Sequence, residues 1–302
     1  MPQMTIALGL NEENLLPTLI TIRSVMEHTA YKEDISFTIF SDGVNRHATN
    51  LVKDILTRHG HAHSFVNLHD LLAGFAYGDI IRSSLLYPLL IPQYFTSKDF
   101  VLSLGTHSFV RGDVLTLLDG FPEDRKIGAV RCMMHGHRQY GQFYGLDHEA
   151  THVLGLDNPR DYFSRNLLLF NREAISPVEG QACIQLLDEG WRAQDEAILN
   201  HLFHRSCHLF PQKWNVQMDL LQEPDDAFHD PVAQELARGR NAMKLCQFSS
   251  PMNPEEAGTA LERMDGPVQE YRKTAAAVMQ DVRHQAPHAM FGSMWNTLLS
   301  MK

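Results

Sequence analysis

The sequence lacks several features that would assign it to a class at once. Its four cysteines in 302 residues are widely spaced and form no C-x-x-C pair, which favours a reducing compartment, although an incidental disulfide stays open. No window approaches 18 uninterrupted apolar residues, so we expect no membrane span. The opening segment MPQMTIALGL has neither a basic region nor a long apolar run, so we expect no signal peptide and a cytoplasmic location.

Positive charge is also scarce. The chain has 26 Lys and Arg against 36 Asp and Glu, a formal net charge of −10. This balance argues against a general nucleic-acid binder, because the phosphate backbone demands a basic surface; a local basic cleft stays open. The hydrophobic fraction of 44% and charged fraction of 21% are typical of a globular protein. The length allows one large α/β domain, or one domain with an appendage.

The first hundred residues alternate between strand and helix periodicity. Apolar runs predict strands at Thr5–Leu10, Ile35–Ser41 and His63–Leu68, and helical spacing predicts helices at Leu15–Met26 and Ala48–Leu56. This alternation is typical of a parallel sheet with crossover helices, in which ligands lie beyond the carboxyl ends of the strands.

The carboxyl ends of the predicted strands should meet at one crevice. The segments expected there are Gly9–Asn14, Ser41-Asp42 and Gly105–His107. Later in the chain the patterns predict strands at Gly128–Cys132 and Asn166–Phe170, helices at Ile175–Leu187 and Glu196–Phe203, and two helices after Pro267 that are separated by Ala286-Pro287.

Seven segments in order resemble glycosyltransferase family 8, the retaining enzymes that transfer hexoses from nucleotide sugars on a GT-A fold. The resemblance implies a Rossmann-like, mostly parallel α/β sheet flanked by helices. It covers roughly residues 4–254, so we expect a GT-A-type domain at 1–254 and a helical extension at 255–302 packed on it. The segments are IALGLNEENLLPTLITIRSV, ISFTIFSDG, SLLYPLLIPQYF, VLSLGTHSFVRGDV, YFSRNLLLFN, AQDEAILNHLF with LFPQKWNVQ, and LCQFSSPMNP.

The metal-binding residues that the resemblance implies are replaced here. In the family, two carboxylates and a distant histidine hold a divalent ion, usually manganese, that neutralises the leaving diphosphate. Those positions fall at Gly105, His107 and Gln247, while the family's phosphate-contacting Lys falls at Asn253 and an Arg expected in the preceding helix falls at Pro88. We therefore expect that the usual manganese site is lost and that no cofactor is bound.

The nucleotide end of the implied site has two interpretations. Glu12, Glu13 and Asn14 align with the family's acidic turn that meets the base and ribose, and Leu15 stands where an aromatic residue would stack on uracil. Alternatively, Asn11–Asn14 simply caps the first helix, since such residues favour a helix N-terminus.

The implied catalytic helix is mixed. Gln194 and Asp195 match a Gln-Asp pair that lies close to the transferred sugar in the family, but the preceding acidic position is Ala193. Alternatively, Asp195 is a plain N-terminal helix residue. Arg165 stands where a small residue is usual, and it either fills the donor pocket or replaces the missing metal charge against a phosphate. Lys213 lies in a segment that the family also uses near the site.

Histidine is abundant, with 17 residues. The pairs His61 with His63 and His135 with His137 could bind zinc, but no carboxylate or cysteine completes either set at a familiar spacing. We therefore interpret these histidines as solvated surface residues, with the loop at His135–Arg138 able to face the crevice.

A hydrophobic stripe follows helical spacing near the end of the chain. We expect it to pack on the chain's own core; a homodimer interface is the next alternative, and a membrane surface is disfavoured because the polar face carries little positive charge. The stripe consists of Phe291, Met294, Trp295, Leu298 and Leu299.

Three hypotheses remain at this stage. The first is an active hexosyltransferase that uses a nucleotide sugar and a glycan acceptor without the usual metal. The second is a catalytically inactive relative that binds a glycan or partners an active transferase. The third is an unrelated α/β protein.

Overall fold

The computed structural model describes most of the chain. The described residues are 3–41, 43, 46–72, 86–96, 100–139, 146–188, 195–230, 232–239, 242–248, 261–283, 285, 290, 292 and 294. Several predictions lie outside them, among them those for Asp42, Gln194, Asn253, Ala286-Pro287, the boundary between residues 254 and 255, and all of the C-terminal stripe except Met294.

The fold is α/β, built on a seven-stranded sheet in the order β3-β2-β1-β4-β7-β6-β8. Neighbouring strands are parallel except at β7, which runs antiparallel to both β4 and β6. A small sheet in the order β5-β10-β9 lies beside it. The strands are β1 Met4–Leu10, β2 Ile35–Ser41, β3 Ala62–Asn67, β4 Phe100–Leu104, β5 Ser108–Val110, β6 Ile127–Arg131, β7 Phe163–Asn171, β8 Cys207–Phe210, β9 Val216–Gln217 and β10 Leu245–Gln247.

Six described helices have eight residues or more, and shorter helical turns connect the other elements. The long helices are α1 Leu15–His28, α2 Arg46–Arg58, α3 Pro177–Asp188, α4 Asp195–Phe203, α5 Val232–Gly239 and α6 Leu261–Val282. The shorter turns include Leu68–Leu71, Tyr87–Leu89, Ile91–Tyr94, Met133–Gly136, Leu146–His148 and Gln212–Trp214.

Every residue of β1 is buried between the two faces of the central sheet, which explains why this strand is apolar except at Thr5. Met4, Ile6 and Leu8 point to one face, where they pack with α1, α2 and α6, whereas Ala7 points to the other face, with α3 and α4. The predicted fold class is confirmed, and the first two predicted strands match the structure to within one residue.

Helix α6 departs from the prediction, which began this helix after Pro267. The helix begins at Leu261 and contains Pro267, although proline removes one backbone hydrogen bond from a helix interior. Arg111 near the end of β5 holds Glu270 with a bidentate ion pair, at 2.7 Å from Nε. The helix offsets the loss by burying apolar side chains in the main core beside α1, namely Tyr271, Ala275, Val278, Met279 and Val282.

The interpretation of the paired histidines as surface residues was wrong for three of the four. His61, His135 and His137 are buried. His61 meets Phe37 edge-on with ring centroids 5.4 Å apart, and His135 stacks on Tyr162 at 3.7 Å, so aromatic packing accounts for their burial. Within the described residues, no group of three or more His, Cys, Asp or Glu side chains is placed to hold a metal ion.

None of the helices in the described part of the chain is both long and apolar enough to cross a membrane.

Candidate active site

A cleft of about 240 Å³ opens at the carboxyl end of β4, beside the end of β1. It brings together four residues of the predicted site, Gly105, His107, Arg165 and Gln247. The described residues that line it are Tyr87, Pro88, Ser103, Leu104, Gly105, Thr106, His107, Arg165, Asn166, Gln247 and Phe248. Its lining does not include Glu12, Glu13, Asn14, Lys213 or Asp195.

The turn at Gly105–His107 is held from three sides. The Gly105 N–H donates to the Asn166 carbonyl of β7 at 2.9 Å. The Thr21 hydroxyl of α1 lies 3.1 Å from the Thr106 carbonyl oxygen and 2.7 Å from that of Ser108. The N–H of Phe248 donates to the His107 carbonyl at 3.0 Å. The first helix, the central sheet and the small sheet therefore fix the position of this turn.

The turn does not fit a divalent cation. A Cβ placed on Gly105 would lie 3.1 Å from Oδ1 of Asn166, so a larger side chain here requires the Asn166 side chain to shift by a few tenths of an ångström. Burial lowers the pKa of His107, which favours the neutral imidazole, a side chain that brings no negative charge to a cation. The amide oxygen of Gln247 already accepts a hydrogen bond from Ser108 at 2.8 Å. The described lining carries no carboxylate, and manganese or magnesium prefers charged oxygen ligands.

Arg165 is the one positively charged side chain in the described lining of the cleft. Its NH1 nitrogen lies 2.7 Å from both carboxylate oxygens of Asp195, at the start of α4. Burial alone would lower the pKa of Arg165, but the charge of Asp195 and its hydrogen bonds raise that pKa above its ordinary value. The guanidinium therefore remains charged, with one face on Asp195, while 36% of the side chain stays exposed.

Strand β7 and helix α4 are tied together behind this ion pair. The buried Asn200 side chain accepts from the Phe163 N–H at 2.9 Å and donates to the Phe163 carbonyl at 2.8 Å. One turn earlier, Glu196 accepts from the backbone N–H of Arg165 at 2.8 Å. These bonds fix where Asp195 meets Arg165.

Glu196 is a candidate functional residue that the sequence patterns did not identify. Burial raises its pKa to about 7, although the Arg165 backbone N–H and guanidinium work against this rise. The available signal was the spacing of Glu196 and Asn200, two polar residues one turn apart on a helix that also carries Ile198 and Phe203. That spacing marks a polar stripe, but it does not reveal that β7 lies against it.

The predicted nucleotide turn lies at the end of β1. Glu12 and Glu13 are exposed there, whereas Asn14 is buried. Asn11 and Asn14 exchange side-chain to backbone hydrogen bonds at 2.7 and 2.8 Å, and the Asn14 side chain makes no capping bond to α1. Within the described structure, Nδ2 of Asn14 is buried without a hydrogen-bond partner. Asn11 and Asn14 therefore bond each other reciprocally, as the first and last residues of a capping box do, and this pattern supports the capping interpretation with Asn11 as the capping residue.

Lys213 lies in the helical turn Gln212–Trp214. Its carbonyl accepts from the N–H of Lys244 at 2.7 Å, and the residue is partly exposed. The structure therefore places this lysine next to the small sheet rather than in the cleft lining.

Comparison with known proteins gives one family and several structures. Residues 5–237 match the profile described as Glycosyl transferase family 8. None of the curated proteins matches the chain.

Three solved structures show the breadth of the structural likeness. The apo WbbM bifunctional glycosyltransferase has a TM-score of 0.71 at 18% identity, over 94% of this chain and 51% of that one. The galactosyltransferase LgtC, in complex with donor and acceptor sugar analogues, has a TM-score of 0.68 at 18% identity, over 96% and 100%. Apo mouse xyloside xylosyltransferase 1 has a TM-score of 0.55 at 14% identity, over 82% and 97%. The chain thus spans about half of WbbM and the whole of LgtC, and the TM-scores show a shared fold.

Proposed function

Because the chain belongs to glycosyltransferase family 8, we propose that it transfers a hexosyl group from a nucleotide sugar to a glycan acceptor without a metal ion at Gly105 and His107. The observation that carries this proposal is Arg165, whose charged guanidinium lies in a cleft whose described lining has no carboxylate. We also infer a cytoplasmic location, which the four unpaired cysteines support.

The charge that Arg165 supplies suits the leaving group of such a transfer. As the bond from the sugar's anomeric carbon to the diphosphate breaks, its electron pair stays on the diphosphate, while the acceptor oxygen bonds to that carbon and loses its proton. A fixed guanidinium stabilises the developing negative charge most effectively where water is scarce. Arginine also pairs with phosphate through several N–H groups in one plane.

The remaining residues take roles that follow from their places in the fold. We assign Gln194 and Asp195 to the transferred sugar, since α4 begins beside Arg165. We assign Glu12, Glu13 and Asn14 to the base and ribose, because they follow the end of β1, which is hydrogen-bonded to β4. We assign Lys213 as a further cation for the diphosphate. To contact the diphosphate, the Lys213 side chain has to extend towards the cleft.

A second candidate function is a non-catalytic relative that binds a glycan or partners an active transferase. The Arg165–Asp195 ion pair favours it, because each side chain already neutralises the other in the described structure. A protein of this kind should bind a sugar or a nucleotide without breaking it.

Donor hydrolysis separates the two candidates. A panel of nucleotide sugars is incubated with the protein in EDTA and, separately, in manganese, and the free nucleotide diphosphate is measured. Release in EDTA supports metal-free transfer. Binding of a donor without release supports the non-catalytic relative.

A further inference from the structure

Ser108 and Gln247 face each other across the small sheet. They are partners in the antiparallel register of β5 and β10, and both are buried. The Ser108 hydroxyl donates to the amide oxygen of Gln247 at 2.8 Å. Because the amide oxygen faces the serine, the Nε2 nitrogen presents its two N–H groups as donors at the other end of the amide.

The amide of Gln247 lies directly against the turn that begins at Gly105. A Cβ built on Gly105 would lie 3.4 Å from Oε1 and 3.5 Å from Nε2 of Gln247. Gln247 also lines the cleft, together with the neutral imidazole of His107 and the guanidinium of Arg165. The cleft therefore gathers N–H groups, and its described lining offers no carboxylate to compete with an acidic ligand.

We propose that Ser108 and Gln247 form an anion-recognition pair, in which the serine hydroxyl orients the Gln247 amide so that its N–H groups donate to a phosphate oxygen in the cleft. The ligand class is a pyrophosphate group, either free or as part of a nucleoside diphosphate. If the pyrophosphate group belongs to a nucleotide sugar, this inference rests on the proposed function. It then deepens that function, because direct hydrogen bonds to the pyrophosphate replace the cation. Hydrogen bonds to a charged phosphate are stronger than those between neutral groups.

Glycine at position 105 is consistent with this inference. The Cβ of an aspartate at this position would lie 3.1 Å from Oδ1 of Asn166, and the charge of its carboxylate would repel a phosphate. With glycine, the Gln247 amide and the turn backbone approach each other without a side chain between them.

The test is calorimetric titration of the full chain with inorganic pyrophosphate in EDTA, repeated with uridine diphosphate. Gln247→Glu keeps the length of the side chain but replaces the donors with a negative charge, and Gln247→Met removes the donors without adding charge. Ser108→Ala removes the orienting hydroxyl. Ser64→Ala is the matched control, because it removes a hydroxyl that bonds Thr38 at 2.9 Å on β3, away from the cleft.

We expect the wild type to bind pyrophosphate in EDTA. Both Gln247 variants should bind roughly tenfold more weakly or worse, Ser108→Ala should bind severalfold more weakly, and Ser64→Ala should match the wild type. The two Gln247 variants guard against one of them failing to fold, which melting temperatures monitor. Uridine diphosphate binding more tightly than pyrophosphate identifies a nucleotide as the source, and equal binding identifies the free anion.

The inference is overturned if the wild type does not bind pyrophosphate in EDTA, or if Gln247→Met binds it as well as the wild type. The inference is wrong and the proposed function stands if donor hydrolysis proceeds in EDTA while the Gln247 variants bind pyrophosphate with wild-type affinity. The proposed function fails alone if pyrophosphate binds as expected and no donor is hydrolysed.

Discussion

The NH1 nitrogen of Arg165 lies 2.7 Å from each carboxylate oxygen of Asp195. Asp195 is buried, while Arg165 reaches the cleft with about a third of its side chain exposed. Arg165 thus joins β7 to α4 and also provides the positive charge that faces the cleft. The position of the guanidinium therefore depends on the carboxylate of Asp195.

Removing Arg165 should destabilise the protein. In Arg165→Met the buried carboxylate of Asp195 loses its partner, which we expect to cost about 2–3 kcal/mol in the free energy of unfolding, measured by urea denaturation. The double variant Arg165→Met with Asp195→Asn should recover much of this loss, because no unpaired buried charge remains. Arg205→Met is the control, since its pair with Asp157 is mostly exposed and should contribute less than about 1 kcal/mol. A double variant no more stable than Arg165→Met alone would contradict this interpretation.

Glu196 should make stability depend on pH. Its pKa in the folded chain is raised to about 7 from an ordinary value of 4.5. Between these values the folded state holds a proton that the unfolded state has released, so the group's contribution to stability falls as pH rises and is fully unfavourable above pH 7.

Glu196→Gln should therefore be more stable than the wild type at pH 8, by about 1–3 kcal/mol, and the difference should shrink towards pH 4.5. Glutamine can still accept the hydrogen bond from the Arg165 N–H. Glu179→Gln is the control of opposite sign, because Lys126 and Ser176 outweigh burial and hold the Glu179 pKa below its ordinary value. Urea unfolding at several pH values checks both variants, and a pH-independent difference for Glu196→Gln would contradict the raised pKa.

Manganese should not stabilise the protein. Binding at 100 times the dissociation constant would add roughly 2.7 kcal/mol and raise the melting temperature of a chain this long by roughly 4 °C. We expect no such rise with millimolar manganese, alone or with uridine diphosphate.

Restoring the metal ligands that the resemblance implies is the complementary test of manganese binding at this turn. The triple variant Gly105→Asp, His107→Asp and Gln247→His should gain manganese affinity only where the side chain at 105 finds space, because its Cβ would lie 3.1 Å from Asn166. Adding Asn166→Ala should therefore increase the gain. Manganese stabilisation of the wild type by several degrees would show that the turn does hold the ion.

The C-terminal segment should contribute to the core. Met294 is buried in the main hydrophobic cluster, so Met294→Ala should lower the free energy of unfolding by about 2–4 kcal/mol. Met134→Ala is the matched control, since that methionine is 41% exposed and should change stability little. If Met294→Ala leaves the free energy of unfolding unchanged but alters the sedimentation profile, the result would instead favour a dimer interface at this segment.

The positions of β1 and β2 were predictable because buried parallel strands are mainly apolar, and only threonine and serine interrupt these two runs. The start of α6 was not predictable from the sequence. Proline indicates a helix boundary locally, whereas the burial of Tyr271 and Val278 depends on the whole fold. The prediction that the paired histidines lie at the surface was wrong for the same reason. Sequence patterns indicate that a histidine is exposed, because they do not show an aromatic partner such as Tyr162 that packs on it in the fold.

The site was predictable where neighbours in sequence form it and not where distant segments meet. Gly105 and His107 lie in one turn, and Gln247, which the resemblance placed beside them, lines the same cleft. The ion pair of Arg165 with Asp195 joins residues 30 positions apart, and no local pattern encodes that meeting. The hydrogen bond of Glu196 with the Arg165 backbone likewise joins residues 31 positions apart.

The most direct test of metal-free transfer is the release of nucleotide diphosphate from a panel of nucleotide sugars in EDTA and in manganese. We predict release from at least one donor at the same rate in both, and a loss of about 100-fold or more in Asp195→Asn with the fold intact. Release that appears only with manganese, or activity indifferent to Asp195→Asn, would contradict the proposed site.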